Sequence, residues 1–229
     1  MSKTYGTMKS NVGNFVQQTD DNFAALIGSW LNDKYLDIYN RCEWSIFINF
    51  DYTFPTVVGT SEYALETDFS EEIFVANITD GIPLTRYTEG TWWQERFNAY
   101  QAGTITNGQS KSYIILREAS KIHLDPPPDA IKTIAMPYKK SLTALSATGD
   151  IPVIKDIEYI LEYGATAEAY AYLKQFSKAD YYAQKYEQEL SKRISRERTQ
   201  SNQLYQRIPG GNKLPYYTRL TGEASYDTI

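Results

Sequence analysis

His123 is the only histidine of the chain, and it stands two residues before Asp125 in "IHLDPPPDAIKTI", residues 122 to 134. A histidine acting as a general base needs a carboxylate or nucleophile within about 3 Å. On a strand, residues two apart share a face, so the spacing permits the pair. Pro126 to Pro128 end that strand at once, because proline cannot donate to a ladder. The segment reads as a strand leaving its sheet through a rigid corner, with His123 a partly exposed strand residue and not a catalyst.

Carboxylate pairs are the next source of acid–base chemistry. Glu71–Glu72 and Asp20–Asp21 are adjacent in sequence, so the members of each pair diverge, and Asp20–Asp21 falls where a helix cap belongs. Glu158 and Glu162, four apart, share a helix face. Glycosidases need two carboxylates of unlike environment across a cleft, and nothing marks such a pair here. Cys42 lies on an apolar helical stripe and reads as a buried structural thiol. One His and one Cys fall short of the three or four ligands of common zinc sites. A carboxylate-only site for Mg²⁺ or Ca²⁺ stays open, although no D-x-D-x-D-G loop is present. The chain contains no G-x-S-x-G, phosphate loop or G-x-G-x-x-G. The expectation is no enzyme and no cofactor.

Two features point to binding. Trp92 and Trp93 could stack on sugars or bases. Neighbours on a helix point about 100° apart, so one is expected in the core and the other at a protein interface. "KRISRER", residues 192–198, carries Lys192, Arg193, Arg196 and Arg198. It complements the negative end of a helix dipole, or it contacts an acidic partner or DNA phosphate.

These residues need elements to place them. A chain of 229 residues is one large domain or two small ones, and 42% hydrophobic residues suffice for a core. The net charge of −5 argues against gripping nucleic acid by overall charge. A single cysteine excludes an intrachain disulfide. The N-terminal stretch lacks the apolar core of a signal peptide, and no apolar run approaches the ~20 residues that span a bilayer. The expectation is a soluble protein made in the cytosol. Tyrosine outnumbers phenylalanine 20 to 9, as a compositional habit or as interface surface.

From Thr19 to Cys42, Phe23, Ile27, Trp30, Leu31, Tyr35 and Ile38 recur at three- and four-residue steps, an amphipathic helix capped by Thr19, Asp20 or Asp21. Period-two alternation follows. Trp44, Ile46, Ile48 and Phe50 alternate with polar or opposite-face positions, and "EEIFVANITDG" ends in an Asp-Gly turn. A short helix capped by Thr88 or Thr91 holds the tryptophans. Further strands surround the prolines, so residues 43–140 read as β-rich. After a Gly149/Pro152 linker come two helices, over about 153–175 and 177–199, joined near Gln175 to Ser177 as an antiparallel hairpin. The first carries Ile157, Leu161, Gly164, Ala167 and Ala171; the second carries Ala179, Tyr182, Tyr186, Leu190 and Ile194. Residues 206–229 have no periodicity, and Pro209, Gly210, Gly211 and Pro215 forbid a long helix. Their apolar content reads as an extended arm that orders on a partner.

The fold class expected is α+β: an antiparallel helical bundle, made by the first helix and the C-terminal hairpin, with a β-rich middle and an extended arm. The segments are 1–42, 43–140, 141–205 and 206–229. The expected partner interface comprises Trp92, Trp93, Lys192, Arg193, Arg196, Arg198, Tyr205, Arg207, Tyr216, Tyr217, Arg219, Leu220 and Tyr226.

The order of these pieces resembles the head-to-tail adaptor (connector) proteins of tailed bacteriophages. A first helix ends near Trp44. A "G-x-x-x-Y-x-L-x-x-D-F" segment follows, matched by Gly59, Tyr63, Leu65, Asp68 and Phe69. An "I-x-L-x-P-x-P" strand end is matched by Ile122, Leu124, Pro126 and Pro128, and a "Y-x-K" strand end by Tyr138 and Lys140. Ile151–Pro152 introduces the helix hairpin. Glu66 departs from the pattern, which often has proline after the leucine. The resemblance spans about residues 19 to 195.

The resemblance implies a structural virion protein of the head-to-tail junction, made in the host bacterial cytoplasm. It implies a homo-oligomeric ring, a dodecamer, under the portal protein. The ring would present a platform to tail nozzle or tail-tube proteins and continue an axial channel through which DNA passes as cargo. No membrane partner is implied. Two other readings stay open at this stage: a peptidoglycan-cleaving tail-associated enzyme using carboxylates, and a glycan-binding tail module using Trp92 or Trp93.

Overall fold

A computed structural model describes residues 2–101 and 106–206. The fold is α+β: two hydrophobic cores, one between helices and one between short strands, in a single continuous chain.

The first helix, α1 (Tyr5–Val16), was not expected from the sequence. Thr4 caps it by accepting from the Thr7 N–H at 3.2 Å, which satisfies one of the donors a helix start leaves free. Met8, Val12 and Val16 repeat at four-residue steps and are buried. Glycine and asparagine fill much of the rest of the helix, and they dilute that signal. Helix α2 (Asp21–Arg41) has Asp20 as its cap, with the Phe23 N–H at 2.9 Å from the carboxylate. Cys42 follows the helix in extended conformation. It is half-buried against the helical core, and burial pushes its thiol pKa up.

The strand expected through Trp44, Ile46 and Phe50 is not formed as one element. Ser45–Phe47 makes a single 3₁₀ turn, followed by β1 (Ile48–Asn49) and β2 (Thr53–Pro55). Trp44 is drawn into the helical core, 1% exposed, with its indole N–H on the Ile38 carbonyl at 2.9 Å. A large ring whose N–H finds a carbonyl stabilises more inside a core than period-two alternation does at an edge. Ile46 and Phe50 are left exposed.

The other strands are β3 (Glu62–Ala64), β4 (Phe69–Glu72), β5 (Ala76–Asn77), β6 (Ile82–Pro83), β7 (Thr85–Arg86), β8 (Ser112–Leu116), β9 (Lys121–Asp125), β10 (Thr133–Ala135) and β11 (Tyr138–Lys140), with helix α3 (Glu89–Gln101) between β7 and β8. They form three sheets, ordered β1-β11-β4, β2-β10-β5-β6 and β3-β9-β8-β7. Only the β7–β8 pair is parallel among the described strands. Ile122 and Leu124 of β9, Tyr113 and Ile115 of β8, and Ile134, Met136, Val75 and Leu84 form the second core. On the opposite face of β8 and β9, Ser112, Ile114 and His123 are buried too, whereas Leu116, Lys121 and Asp125 are partly exposed.

The last helices are α4 (Glu158–Tyr172) and α5 (Phe176–Gln206). Asp156, in the left-handed region at φ 61°, breaks the chain just before α4, so this helix starts later than its apolar pattern begins. Helices α4 and α5 pack along each other, and α1, α2, α4 and α5 contribute to one core. Ala179, Tyr186 and Leu190 of the expected stripe are buried in it. Helix α5 continues past the expected end at 199, to Gln206. Residues 207–229, which hold nearly all of the expected arm, lie outside the described residues. No described helix is long and apolar enough to cross a membrane.

Candidate functional site

Helix α3 brings the tryptophan pair onto the outer face of sheet β3-β9-β8-β7. Thr88 caps it, its hydroxyl oxygen 3.4 Å from the Thr91 N–H. The two rings divide as the 100° step requires: Trp92 is 5% exposed and Trp93 is 62% exposed. Their centroids lie 4.6 Å apart at 74°. Phe97, one turn beyond Trp93, is equally exposed, so the solvent side of α3 is aromatic at i and i+4.

Beneath Trp92 lies His123, and the expectation of a partly exposed histidine is corrected here: His123 is 0% exposed. The Trp92 ring covers it edge-on at 5.0 Å. Arg96, over the Trp92 ring at 5.2 Å, reaches His123 Nε2 with its guanidinium. Glu62, opposite His123 in the β3–β9 register, places a carboxylate oxygen 3.8 Å from Nδ1, too far for a hydrogen bond. Burial, and then the Arg96 charge, lower the His123 pKa to about 4, against the smaller pull of Glu62. The imidazole is therefore neutral at pH 7, with Nε2 accepting from Arg96 and the proton on Nδ1. Asp125 lies two residues along the same strand face. Burial raises its pKa, Arg96 lowers it and Glu95 raises it again. At Nε2 stands the Arg96 guanidinium.

Two of the other acid–base candidates, Glu162 and Glu72, have structural partners. Glu162 is buried and receives Lys3 Nζ at 2.6 Å and Asn11 Nδ2 at 2.6 Å. Glu72 is buried against Arg86 at 2.8 Å, whereas its neighbour Glu71 is exposed. Among the described residues no three His, Cys, Asp or Glu side chains converge as a metal site would need.

The basic end of α5 is partly committed within the chain. Arg193 pairs with Glu197 at 3.1 Å, donates to the Lys155 carbonyl at 3.3 Å and lies over the Trp44 ring at 5.0 Å. Lys192 pairs with Glu189 at 2.7 Å and is exposed. Arg196 and Arg198 are exposed, and the Arg198 charge is felt at Cys42. Tyr205 falls in the last turn of α5. Arg207, Tyr216, Tyr217, Arg219, Leu220 and Tyr226 lie outside the described residues. The structure thus puts Trp93 on one surface helix and Lys192, Arg196 and Arg198 on another.

The motif residues meet in pairs of strands. Tyr63 of β3 stands opposite Ile122 of β9, and Phe69 of β4 opposite Lys140 of β11. Gly59, at φ +77° where L residues are strained, gives its N–H to the Pro128 carbonyl at 2.8 Å. The Tyr63 hydroxyl closes the same loop, accepting from the Val57 N–H at 3.0 Å and donating to the Thr60 carbonyl at 2.7 Å. The Tyr138 hydroxyl donates to Asp68 at 2.7 Å. These residues fasten loops to sheets. The loop after β2 presents Val57 and Val58 to solvent, and the loop between β9 and β10 presents Ile131, at 56%, 52% and 73% exposure. Sequence reasoning did not single out these apolar residues, nor Phe97, Arg96 or Glu62. The signal available for Phe97 was its four-residue spacing from Trp93.

A model of the family described as SU10 adaptor protein matches residues 3–208, which takes in both cores. No curated protein matches the chain.

Proposed function

From the fact that the chain belongs to the SU10 adaptor protein family, a family of phage head-to-tail adaptors, we propose that it is a non-catalytic structural component of the virion neck. It assembles as a dodecameric ring under the portal protein, receives the tail nozzle or tail-tube proteins on its other face, and lines part of the channel through which DNA passes.

The observation that carries this reading is the extent of the family match, residues 3–208, across helical and β-rich parts alike. The chemistry agrees with it. The buried carboxylates Glu162 and Glu72 are held by Lys3 and Arg86 and not aimed across a cleft. Exposed rings supply contact area: Trp93, Phe97, Tyr172, Phe176 and Tyr181. In this reading α2, α4 and α5 form an antiparallel bundle that makes the rigid part of the subunit. The basic turns of α5 with Lys192, Arg196 and Arg198, together with the arm beyond Gln206, engage the portal. Trp93 belongs to a subunit or tail contact.

The test is mass photometry of the purified chain, alone and mixed with portal rings of the same phage. The expected result is a discrete ring-sized species that requires portal. Absence of any stoichiometric complex at every salt concentration would overturn the proposal. Deleting residues 207–229 is expected to leave the fold intact and abolish the complex, and a truncated chain that still joins portal rings would remove the arm's role.

A further inference from the structure

Helix α3 is held down by very little. Among its described side chains only Trp92 is buried and only Arg96 is half-buried. Trp93 and Phe97 are each 62% exposed. A 13-residue helix on its own is marginal in water, so its position depends on what lies beneath it. There the packing is incomplete: Trp92 Nε1 and His123 Nδ1 are buried N–H groups with no hydrogen-bond partner among the described residues. A buried donor without a partner subtracts from stability. Among the described residues, Glu95 makes a polar contact to Tyr87 at the side of the interface, and at its centre the Arg96 guanidinium lies on His123 Nε2.

That contact has a condition. Nε2 accepts only while the imidazole is neutral. A proton on Nε2 removes the acceptor and sets a second cation against the guanidinium.

We propose that α3 is an acid-released latch: neutral His123 holds helix 89–101 on the sheet through Arg96, and protonation of His123 lifts the helix while both cores stay closed. The groups facing His123 are Arg96 and Trp92 from α3, Glu62 from β3, and Ile114 across the β8–β9 pair. Asp125 follows on its own strand. Among the described residues Glu62 is the anion opposite the ring, and it is already bound to Lys121 at 2.9 Å. It cannot supply the hydrogen bond that a doubly protonated ring would want, because its oxygen stands 3.8 Å away.

The direction follows from linkage. With α3 down, His123 titrates near 4, and with α3 up it returns towards its ordinary 6.5. The lifted state therefore binds the proton better, and its population rises as pH falls from 6.5 to 4. Between pH 7 and pH 4.5 the lifting equilibrium increases by at most roughly fifty-fold, the limit reached when lifting restores the full ordinary pKa.

The chain has one histidine, so one imidazole NMR signal reports the titration without assignment. The experiment follows that signal on the full chain and, on the same samples, hydrogen exchange of residues 89–101 corrected for intrinsic rate. The expected result is a midpoint well below 6.5, with loss of protection in 89–101 over the same pH range and retained protection in α4 and β8. A midpoint near 6.5, or protection in 89–101 that does not change between pH 7 and 4.5, overturns the proposal. His123→Gln keeps an acceptor that does not titrate, and it should abolish the acid response. An undiminished response in that variant would assign the effect to Asp125 or Glu62 and overturn it equally. Should the Gln variant fail to fold, Arg96→Gln serves: it should raise the imidazole midpoint and loosen 89–101 already at pH 7.

Discussion

Lys3 Nζ lies 2.6 Å from Glu162 Oε2, joining residues 159 positions apart and pinning the start of the chain onto α4. The Glu162 side chain is 4% exposed and that of Lys3 is 40% exposed, so the two partners are unequal. The lysine loses little if left alone, whereas the glutamate would be a buried charge with Asn11 as its remaining donor. Lys3→Ala should therefore destabilise by about 1–3 kcal/mol, more than a surface ion pair costs. Urea unfolding at pH 7 measures it. A loss under about 0.5 kcal/mol would mean that water reaches Glu162.

At Gly164, α4 packs closely on its neighbours. A Cβ built there meets Lys34 Cγ at 2.7 Å and the Tyr186 ring at 2.9 Å. In an open helix Gly→Ala gains about 1 kcal/mol. Here the neighbours are α2 and the buried ring of Tyr186, whose hydroxyl is fixed on Asp37 at 2.6 Å. Overpacking costs about 1–3 kcal/mol, so Gly164→Ala should lower the melting temperature. A rise would show that Lys34 and Tyr186 yield at little cost.

The helices with wide apolar stripes were legible in the sequence, because a three- and four-residue rhythm over twenty residues has few other readings. Helix α2 follows its pattern from the Asp20 cap to Arg41. Helix α1 was not legible: it packs Tyr5, Met8, Val12 and Val16 along a thin line whose rhythm a Gly- and Asn-containing segment hides. His123 was misread because the strand leaving its sheet at the proline corner was taken to leave it partly exposed. Nothing in residues 121–125 says that α3, some thirty positions earlier, covers that residue. The candidate interface was legible as residue types and not as a place. Tryptophan neighbours announce that one faces out, but the commitment of Arg193 to Trp44 and Glu197 is a long-range contact that the basic run "KRISRER" does not disclose.

Acid should weaken the helical core in a definite range. Burial alone would raise the Glu197 pKa, but the Ser45 hydroxyl and N–H and the Arg193 guanidinium override it, and the net shift is down from 4.5. Asp37 is likewise held below 3.8, against the cost of burial, by Tyr186 and Arg41. A carboxylate whose pKa is depressed by folding adds stability above its unfolded pKa and loses it as pH falls through the folded value. Unfolding free energy should thus decline from about pH 4.5 downward. Glu197→Gln should be less stable than the parent at pH 6 and show a shallower decline below pH 4.5. Denaturation midpoints at pH 6, 4 and 3 test this; parallel curves would mean that Glu197 does not carry the acid response.

Trp93 separates a role in assembly from a role in folding more cleanly than any other expected interface residue. It is 62% exposed, and its ring contact is an edge-on one with Trp92. Removing an exposed ring that supports little of the fold changes stability by less than about 0.5 kcal/mol. Removing an aromatic anchor from an interface costs about 2 kcal/mol or more, which is roughly thirtyfold in affinity. Trp93→Ala should therefore melt as the parent does and yet need at least tenfold more protein to form the portal-dependent ring. Phe97→Ala, one turn along the same face, should behave alike. If both variants form rings at the parent concentration, the aromatic side of α3 lies outside the assembly contacts. Those contacts would then have to come from the basic turns of α5, and Arg196→Ala with Arg198→Ala should flatten the salt dependence of ring formation.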